Sequence, residues 1–411
     1  MRWRRPSASC RIPGNVNPTR DSPLAAHLPA NPARISSRAD SPIVAWLLLL
    51  AGAGIPASLL WDFSWESTVG VDLPWSPPHT ANYLAVTLAG LIALAQIIGS
   101  TRATNAGAVR LGRWHAPLGV WLTAWGALAF LTAVFFDRWW QSAYGLAAGI
   151  WHPPQILKAL AFFAVLAGVW LFCLRCQNQA EAGKEIRGAL AFAAGGGILL
   201  ALVTVVTLTL VYPNRQHAAT FYKIACGTYP IVLVALATAG RLRRPATVAS
   251  AVYMAVVCLM VWVLPLVPAK PQVPPIYNPL DHLMPPPFPL LLIAPAVMLD
   301  LLLRLAPPRA LRERPWLQAF AAGLVFFAVF FAVQWAFADF LLGADADNWF
   351  FAGGGRHWPF FLKIDPASRV AFWNSRQDQM SLTNALVSAG LAVIAARIGL
   401  WVGAWMRRVR R

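Results

Sequence analysis

Blocks of apolar residues, each about 20 residues long, recur ten times along this chain. Because a helix rises about 1.5 Å per residue, a block of this length matches the hydrocarbon core of a bilayer. Backbone polar groups cannot be left unpaired in lipid, so such blocks form helices. The predicted fold class is therefore all-α, a polytopic transmembrane helical bundle of about ten spans, near 43–61, 80–99, 116–136, 156–175, 189–212, 224–240, 246–267, 288–306, 317–341 and 382–405.

The scarcity of charge excludes an ordinary soluble protein. Charged residues make up 12% of the chain, whereas a soluble domain carries roughly 25%. The net charge of +18 would suggest a nucleic-acid partner in a soluble protein. Membrane proteins, however, collect Lys and Arg in their cytoplasmic loops. We therefore expect the lipid bilayer as partner and no nucleic acid.

The positions of Lys and Arg predict an orientation. Of the 34 such residues, 25 fall in the N-terminal segment, in alternate short loops and at the C-terminal end. The positive-inside rule then places both termini in the cytoplasm. The remaining loops, near 62–79, 137–155, 213–223, 268–287 and 342–381, are predicted to be periplasmic. The preference for Arg over Lys is typical of a GC-rich bacterial genome, which favours a bacterial inner (cytoplasmic) membrane.

The two ends of the chain differ from the spans. Residues 1–41 are rich in Arg, Pro, Ser and Asn without apolar periodicity, which predicts a basic, disordered cytoplasmic tail. The first apolar run leads into a Trp-rich loop and not into a small-residue cleavage site, so it is predicted to be a retained helix. The transmembrane domain is assigned to 42–406, and a basic cytoplasmic end to 407–411.

Two predicted periplasmic loops have related sequences. The first runs from Asp62 to W-S-P-P-H at 75–79, and the second from Asp137 to W-H-P-P-Q at 151–155. Proline suits the first turn of a helix because its missing N–H has no intrahelical acceptor there. The pattern predicts a duplicated helical hairpin, with a helix that starts at each Pro-Pro. The loop D-H-L-M-P-P-P at 281–287 reuses the same ingredients, so its histidine is also expected at a helix start.

The predicted periplasmic loops contain five of the seven histidines, one in each loop: His79, His152, His217, His282 and His357. Carboxylates accompany four of these loops. Imidazole and carboxylate groups are ligands for Zn, Cu and Fe, and ionisable groups at a membrane edge are functional candidates. We therefore predict a divalent metal (Cu, Zn or Fe), with His79, His152, Asp281 and His282 as its ligands and with Asp137 and His357 as further candidates.

The first periplasmic loop holds three carboxylates, Asp62, Glu66 and Asp72, which are the candidate catalytic acid–base groups. An acidic cluster after the first span resembles the first outer loop of multi-spanning lipid-linked glycosyltransferases. That resemblance implies a loop carboxylate that acts as a base or metal ligand toward a polyprenyl-phosphate donor. The cations on the same side, which can bind a phosphate, are Arg138, Lys158, Arg215 and Lys223.

The stretches W-D-x-S-W…W-S-P-P-H at 61–79 and D-H-L-M-P-P-P-F-P-L-L-L at 281–292 also resemble patterns in uncharacterised bacterial multi-pass membrane proteins. More loosely, the chain is similar to the membrane subunits of copper-dependent methane and ammonia monooxygenases. That similarity implies a Trp-rich helical protein with a metal site of Asp and His on its outer side. It assigns no role to an individual residue here.

These observations lead to one main hypothesis and three alternatives. The main hypothesis is a metal-dependent membrane enzyme whose periplasmic site takes a hydrophobic or lipid-borne substrate from the outer leaflet. A lipid-linked glycosyltransferase-like enzyme would use the first-loop carboxylates instead. A transporter would need discontinuous helices and buried charges near the midplane, and the middles of the spans are nearly free of charge. An assembly or scaffold protein would use the Trp-rich loops to bind a partner.

Overall fold

The computed structural model describes residues 42–71, 73–102, 108–145, 152–180, 183, 185–210, 215–305, 314–342, 360–361, 363 and 378–409. Within these ranges the chain folds into a bundle of ten α-helices with one short β-hairpin. Nine of the helices found there are long and apolar enough to cross a bilayer. The predicted class, an all-α polytopic transmembrane bundle of about ten spans, is confirmed.

The helices are α1 (Pro42–Thr68), α2 (Pro77–Arg102), α3 (Leu118–Tyr144), α4 (Pro153–Gln179), α5 (Glu185–Leu210), α6 (Ala219–Ala239), α7 (Pro245–Val263), α8 (Ile293–Asp300), α9 (Pro315–Leu342) and α10 (Leu382–Arg408). Strands β1 (Val109–Leu111) and β2 (Trp114–Ala116) form an antiparallel pair between α2 and α3, with Arg110 opposite His115. A 3₁₀ turn, Leu264–Leu266, follows α7, and a π-helical turn, Leu301–Leu305, follows α8.

The connections between consecutive helices gather at two ends of the bundle. We call one the histidine end, defined by His79, His152, His217 and His282, and the other the arginine end, defined by Arg175, Arg241 and Arg304. Which end faces the cytoplasm stays a prediction from the positive-inside rule. The predicted tail 1–41, residues 410–411 and most of the loop 342–381 lie outside the described residues.

The two Pro-Pro pairs start helices, as predicted. Helix α2 begins at Pro77 and α4 at Pro153, with His152 as the residue that precedes the first turn of α4. Helices α1 and α3, however, continue seven or eight residues past their predicted spans, because no proline or glycine lies between the end of each span and Gly70 or Gly145. The carboxylates assigned to loops, Asp62, Glu66 and Asp137, therefore lie in the last turns of helices.

Small residues bring α3 and α4 into close contact. A Cβ atom added to Gly119 would lie 2.5 Å from the carbonyl oxygen of Gly168 and 2.6 Å from the backbone nitrogen of Phe172. At Gly126 it would lie 2.7 Å from the backbone nitrogen of Val165. In lipid, tight van der Waals packing replaces the hydrophobic effect as the force between helices. The pairing of α3 with α4 thus depends on the absence of these side chains.

The eighth predicted span, 288–306, is helical only from Ile293 onward. The preceding segment, residues 283–292, forms no helix or strand and contains four prolines, which cannot donate backbone hydrogen bonds. Three of its backbone N–H groups are bound by side chains of other helices: Met284 N–H donates to Thr68 Oγ1 (2.9 Å), Leu290 N–H to Tyr253 Oη (2.8 Å) and Leu291 N–H to Gln334 Oε1 (2.8 Å). The fold therefore supplies from α1, α7 and α9 the acceptors that a helix would supply itself.

Charged side chains at the arginine end cap helices. The carboxylate of Asp300 accepts hydrogen bonds from the N–H and the hydroxyl of Thr247 (2.8 Å each) in the first turn of α7. Arg304 donates to the carbonyl oxygens of Ala237 (2.9 Å) and Gly240 (2.6 Å), where α6 ends. An anion at a helix start and a cation at a helix end both complement the helix dipole.

We expect the substitution Gly119→Ala to destabilise the protein by about 1–3 kcal/mol, because the added methyl meets backbone atoms of α4 that cannot turn aside. Thermal unfolding of the detergent-purified protein measures this as a lower melting temperature. The matched control is Gly390→Ala in α10, where an added Cβ meets nothing within 4 Å. Equal melting temperatures for the two variants would contradict the close packing of α3 against α4.

Candidate functional site at the histidine end

Each of the four described histidines at this end lies beside an aspartate. The nitrogen–oxygen distances are 3.4 Å for His79–Asp62, 3.8 Å for His152–Asp137, 2.8 Å for His217–Asp339 and 2.6 Å for His282–Asp281. Among the described residues, no group of three or more His, Cys, Asp or Glu side chains is placed to hold a metal ion. That part of the chain thus does not gather the predicted ligands His79, His152, Asp281 and His282 into one site, and metal binding stays a prediction.

The first pair, Asp62 and His79, joins the end of α1 to the start of α2. The Nδ1 atom of His79 lies 2.9 Å from the carbonyl oxygen of Leu73. Because a carbonyl oxygen only accepts, this nitrogen carries the proton, and Nε2 faces Asp62 Oδ1 at 3.4 Å. In neutral imidazole, Nε2 then presents a lone pair to a carboxylate oxygen. Such a contact is favourable only with positive charge at Nε2, either a proton or a cation between the two atoms.

The surroundings of this pair hold its side chains in place. Asp62 and His79 are 20% and 25% exposed, and the ring of His79 stacks on Tyr83 with 6.2 Å between centroids. Tyr83 in turn receives the edge of the exposed Trp75 ring. Within the described ranges, Asp62 Oδ1 and Trp61 Nε1 are buried atoms with no hydrogen-bond partner. The pair is therefore partly shielded from water and retains an unused acceptor.

The other two predicted catalytic carboxylates are less defined. Glu66 lies four residues after Asp62 on α1, so both project from the same side of the helix, and Glu66 is exposed. Asp72 lies outside the described residues. Of the three predicted catalytic carboxylates, Asp62 is the one that the structure places in contact with a histidine.

The second pair, Asp137 and His152, joins α3 to α4 and includes a lysine. Lys158 Nζ lies 2.6 Å from Asp137 Oδ2, and Gln141 Nε2 lies 3.3 Å from the same oxygen. The side chains of Asp137 and Lys158 are only 9% and 18% exposed. Lys158, one of the cations predicted to be able to bind a phosphate, neutralises Asp137. The sequence feature that could have indicated this pair is a carboxylate near the end of one predicted span and an ammonium near the start of the next.

The remaining histidines differ from expectation. His282 was predicted at a helix start, but α8 begins only at Ile293, because the prolines that follow His282 cannot supply the N–H groups of a helix. His282 and the exposed Asp281 are adjacent in sequence, and a backbone bridge joins His282 to Pro268. His357 lies outside the described residues.

A pair that the sequence did not predict joins α6 to α9. His217, two residues before α6, contacts Asp339 in the last turn of α9, and its ring meets the edge of Trp335 at 4.6 Å. These residues are 122 positions apart, so only the packing of the helices reveals their contact.

Comparisons with known proteins add no relative, since no protein-family model, curated protein or solved structure matches this chain. The resemblances drawn from the motifs at 61–79 and 281–292 therefore stay predictions.

We expect Lys158→Met to destabilise the protein by about 3 kcal/mol, because it leaves the carboxylate of Asp137 buried without its cation. Chemical denaturation in detergent measures the loss. The double variant Asp137→Asn with Lys158→Met should recover most of it, because it removes both charges. Additive losses from the two single substitutions would show that the two side chains do not interact.

Proposed function

We propose that the protein is a multi-pass membrane enzyme of the bacterial inner membrane that uses a divalent metal held between Asp62 and His79. The observation that carries this proposal is their separation of 3.4 Å. Two ligand atoms about 2.1 Å from a tetrahedral zinc ion lie about 3.4 Å apart. A hydrogen bond between charged nitrogen and oxygen groups would be shorter, about 2.7–2.9 Å. The distance suits two ligands of one metal better than a direct ion pair.

The orientation of His79 supports the same proposal. Histidines that bind metals usually donate the second ring N–H to a carbonyl or carboxylate, which fixes the tautomer and the ring plane. The contact of His79 Nδ1 with the carbonyl of Leu73 has this form. Two protein ligands leave positions for water and substrate, and Glu66 and Asp72 are near in sequence as further ligands or as acid–base groups. A bound metal would act as a Lewis acid or would activate a water molecule.

The surface beside the pair favours an apolar substrate. The large side chains of Leu73 and Trp75 are exposed on the short connection between α1 and α2. A hydrophobic or lipid-borne molecule that approaches from the bilayer would contact these side chains before it reaches Asp62. With the orientation predicted from Lys and Arg, this approach is from the periplasmic leaflet.

One feature favours a transporter as the second candidate. The eighth span is discontinuous, and unwound helices at membrane depth bind substrates and ions in many transporters. In this chain, however, the N–H groups of Met284, Leu290 and Leu291 are already bound by protein side chains. The segment thus has fewer free donors for a substrate, and we rank the enzyme first.

We expect the detergent-purified protein to contain metal in near-stoichiometric amount, and the variants Asp62→Asn and His79→Gln to lose most of it, because each removes one of two ligands. Elemental analysis measures the content. The matched control is His217→Gln, which alters a histidine–aspartate pair of 2.8 Å outside the proposed site and should retain the metal.

Two results would overturn this proposal. One is a folded wild-type protein that holds no metal after incubation with Zn, Cu and Fe salts. The other is equal metal content in the Asp62→Asn, His79→Gln and His217→Gln variants. A proton on His79 would then be the positive charge that faces Asp62.

A further inference from the structure

We propose that Lys158 is a tethered cation that supplies to Asp137, in the hairpin α3–α4, the positive charge that the bound metal supplies to Asp62 in the hairpin α1–α2. The comparison rests on the proposed function for the first hairpin only. The second hairpin carries its own observations, and the experiment below treats the two separately.

The two hairpins match closely in construction. Their helices have 27 and 26 residues in α1–α2, and 27 residues each in α3–α4. Asp62 lies six residues before the end of α1, and Asp137 lies seven before the end of α3. In both hairpins W-x-P-P leads into the returning helix, and a histidine adjoins the Pro-Pro pair. The histidine follows the Pro-Pro pair in α2 and precedes it in α4, but in each hairpin an imidazole nitrogen faces the carboxylate near the end of the first helix.

The hairpins differ at the sixth residue of the returning helix, which is Asn82 in α2 and Lys158 in α4. Asn82 Nδ2 donates to Ser58 Oγ at 2.9 Å, one turn before Asp62 on α1. Lys158 Nζ donates to Asp137 itself at 2.6 Å. Helix α4 therefore brings an ammonium group to its carboxylate, whereas α2 brings an uncharged amide that bonds elsewhere.

The ligand atoms of a cation site remain beside Lys158. Asp137 Oδ1 and His152 Nδ1 are 3.8 Å apart, and both are buried atoms without a hydrogen-bond partner in the part of the chain that the structure describes. Asp137 is more than nine-tenths buried. This separation exceeds the ligand spacing of about 3.4 Å in a tetrahedral site, so a bound cation would draw the two atoms closer together. The ammonium repels a second cation, so the pair binds no metal while Lys158 is present.

This assignment has a consequence for stoichiometry. The wild-type chain binds a metal at the first hairpin only, and the second hairpin keeps the same shape without any metal. Removal of the ammonium by Lys158→Asn, which introduces the residue found in α2, should turn the second hairpin into a cation site.

The test uses the Asp62→Asn background, in which the first hairpin lacks its carboxylate. The probe is ZnCl₂ added during purification, and the readouts are elemental analysis and thermal unfolding. We expect Asp62→Asn with Lys158→Asn to hold about one zinc ion per chain and to melt at a higher temperature with zinc than without it. Asp62→Asn alone should hold none, and a further Asp137→Asn should abolish the gain.

A folded Asp62→Asn, Lys158→Asn protein that holds no zinc would overturn the proposal. The same conclusion follows if this variant cannot be recovered folded in zinc, because the metal is expected to replace the lost ammonium. The reciprocal substitution, Asn82→Lys in the wild-type chain, should expel the metal of the first hairpin. Absence of metal from the wild-type protein would refute the proposed function. The zinc content of the Lys158→Asn variants would still decide whether the second hairpin is a cation site.

Discussion

Every backbone polar group at membrane depth must be paired within the protein, and the histidine end depends on how this is achieved. Helices pair these groups locally, but the segment 283–292 does not. Three of its N–H groups are paired by α1, α7 and α9, and Ser64 of α1 also donates to the carbonyl of Met284. The end of α1, which carries Asp62, is thereby fixed to the second half of the bundle. The position of the candidate site therefore depends on these hydrogen bonds between α1 and the segment 283–292.

Charge is used differently at the two ends. At the arginine end, Asp300 and Arg304 bind the termini of α7 and α6, where the helix dipoles favour them. At the histidine end, four of the described aspartates face imidazoles, and Asp137 also faces an ammonium. A carboxylate withdrawn from water needs a positive partner. The chemistry of each hairpin therefore depends on whether the positive charge beside its aspartate comes from a side chain of the protein or from a bound ion.

The sequence was sufficient for the bundle and for the starts of α2 and α4, because length of apolar blocks and Pro-Pro position are local properties. The sequence was insufficient to predict where α1 and α3 end. Polar residues at a membrane interface occur both in loops and in the last turns of helices, so they do not mark the helix end. The late start of α8 was not predicted, because the prolines before it lie next to apolar residues and the whole stretch therefore has the composition of a membrane span. Asp137 and Lys158 are 21 residues apart. Their contact depends on the rotation of α3 and α4 about their own axes, and this rotation cannot be predicted from composition.

The link between α1 and the proline-rich segment also sets an order for biosynthesis. Ser64 and Met284 are 220 residues apart, and ribosomes add about 5–20 residues per second. The first hairpin therefore enters the membrane some tens of seconds before the chain that binds the hydroxyls of Ser64 and Thr68 exists. Although Asp62 and His79 are made well before Met284, their surroundings are completed only after the segment 283–292 has been made.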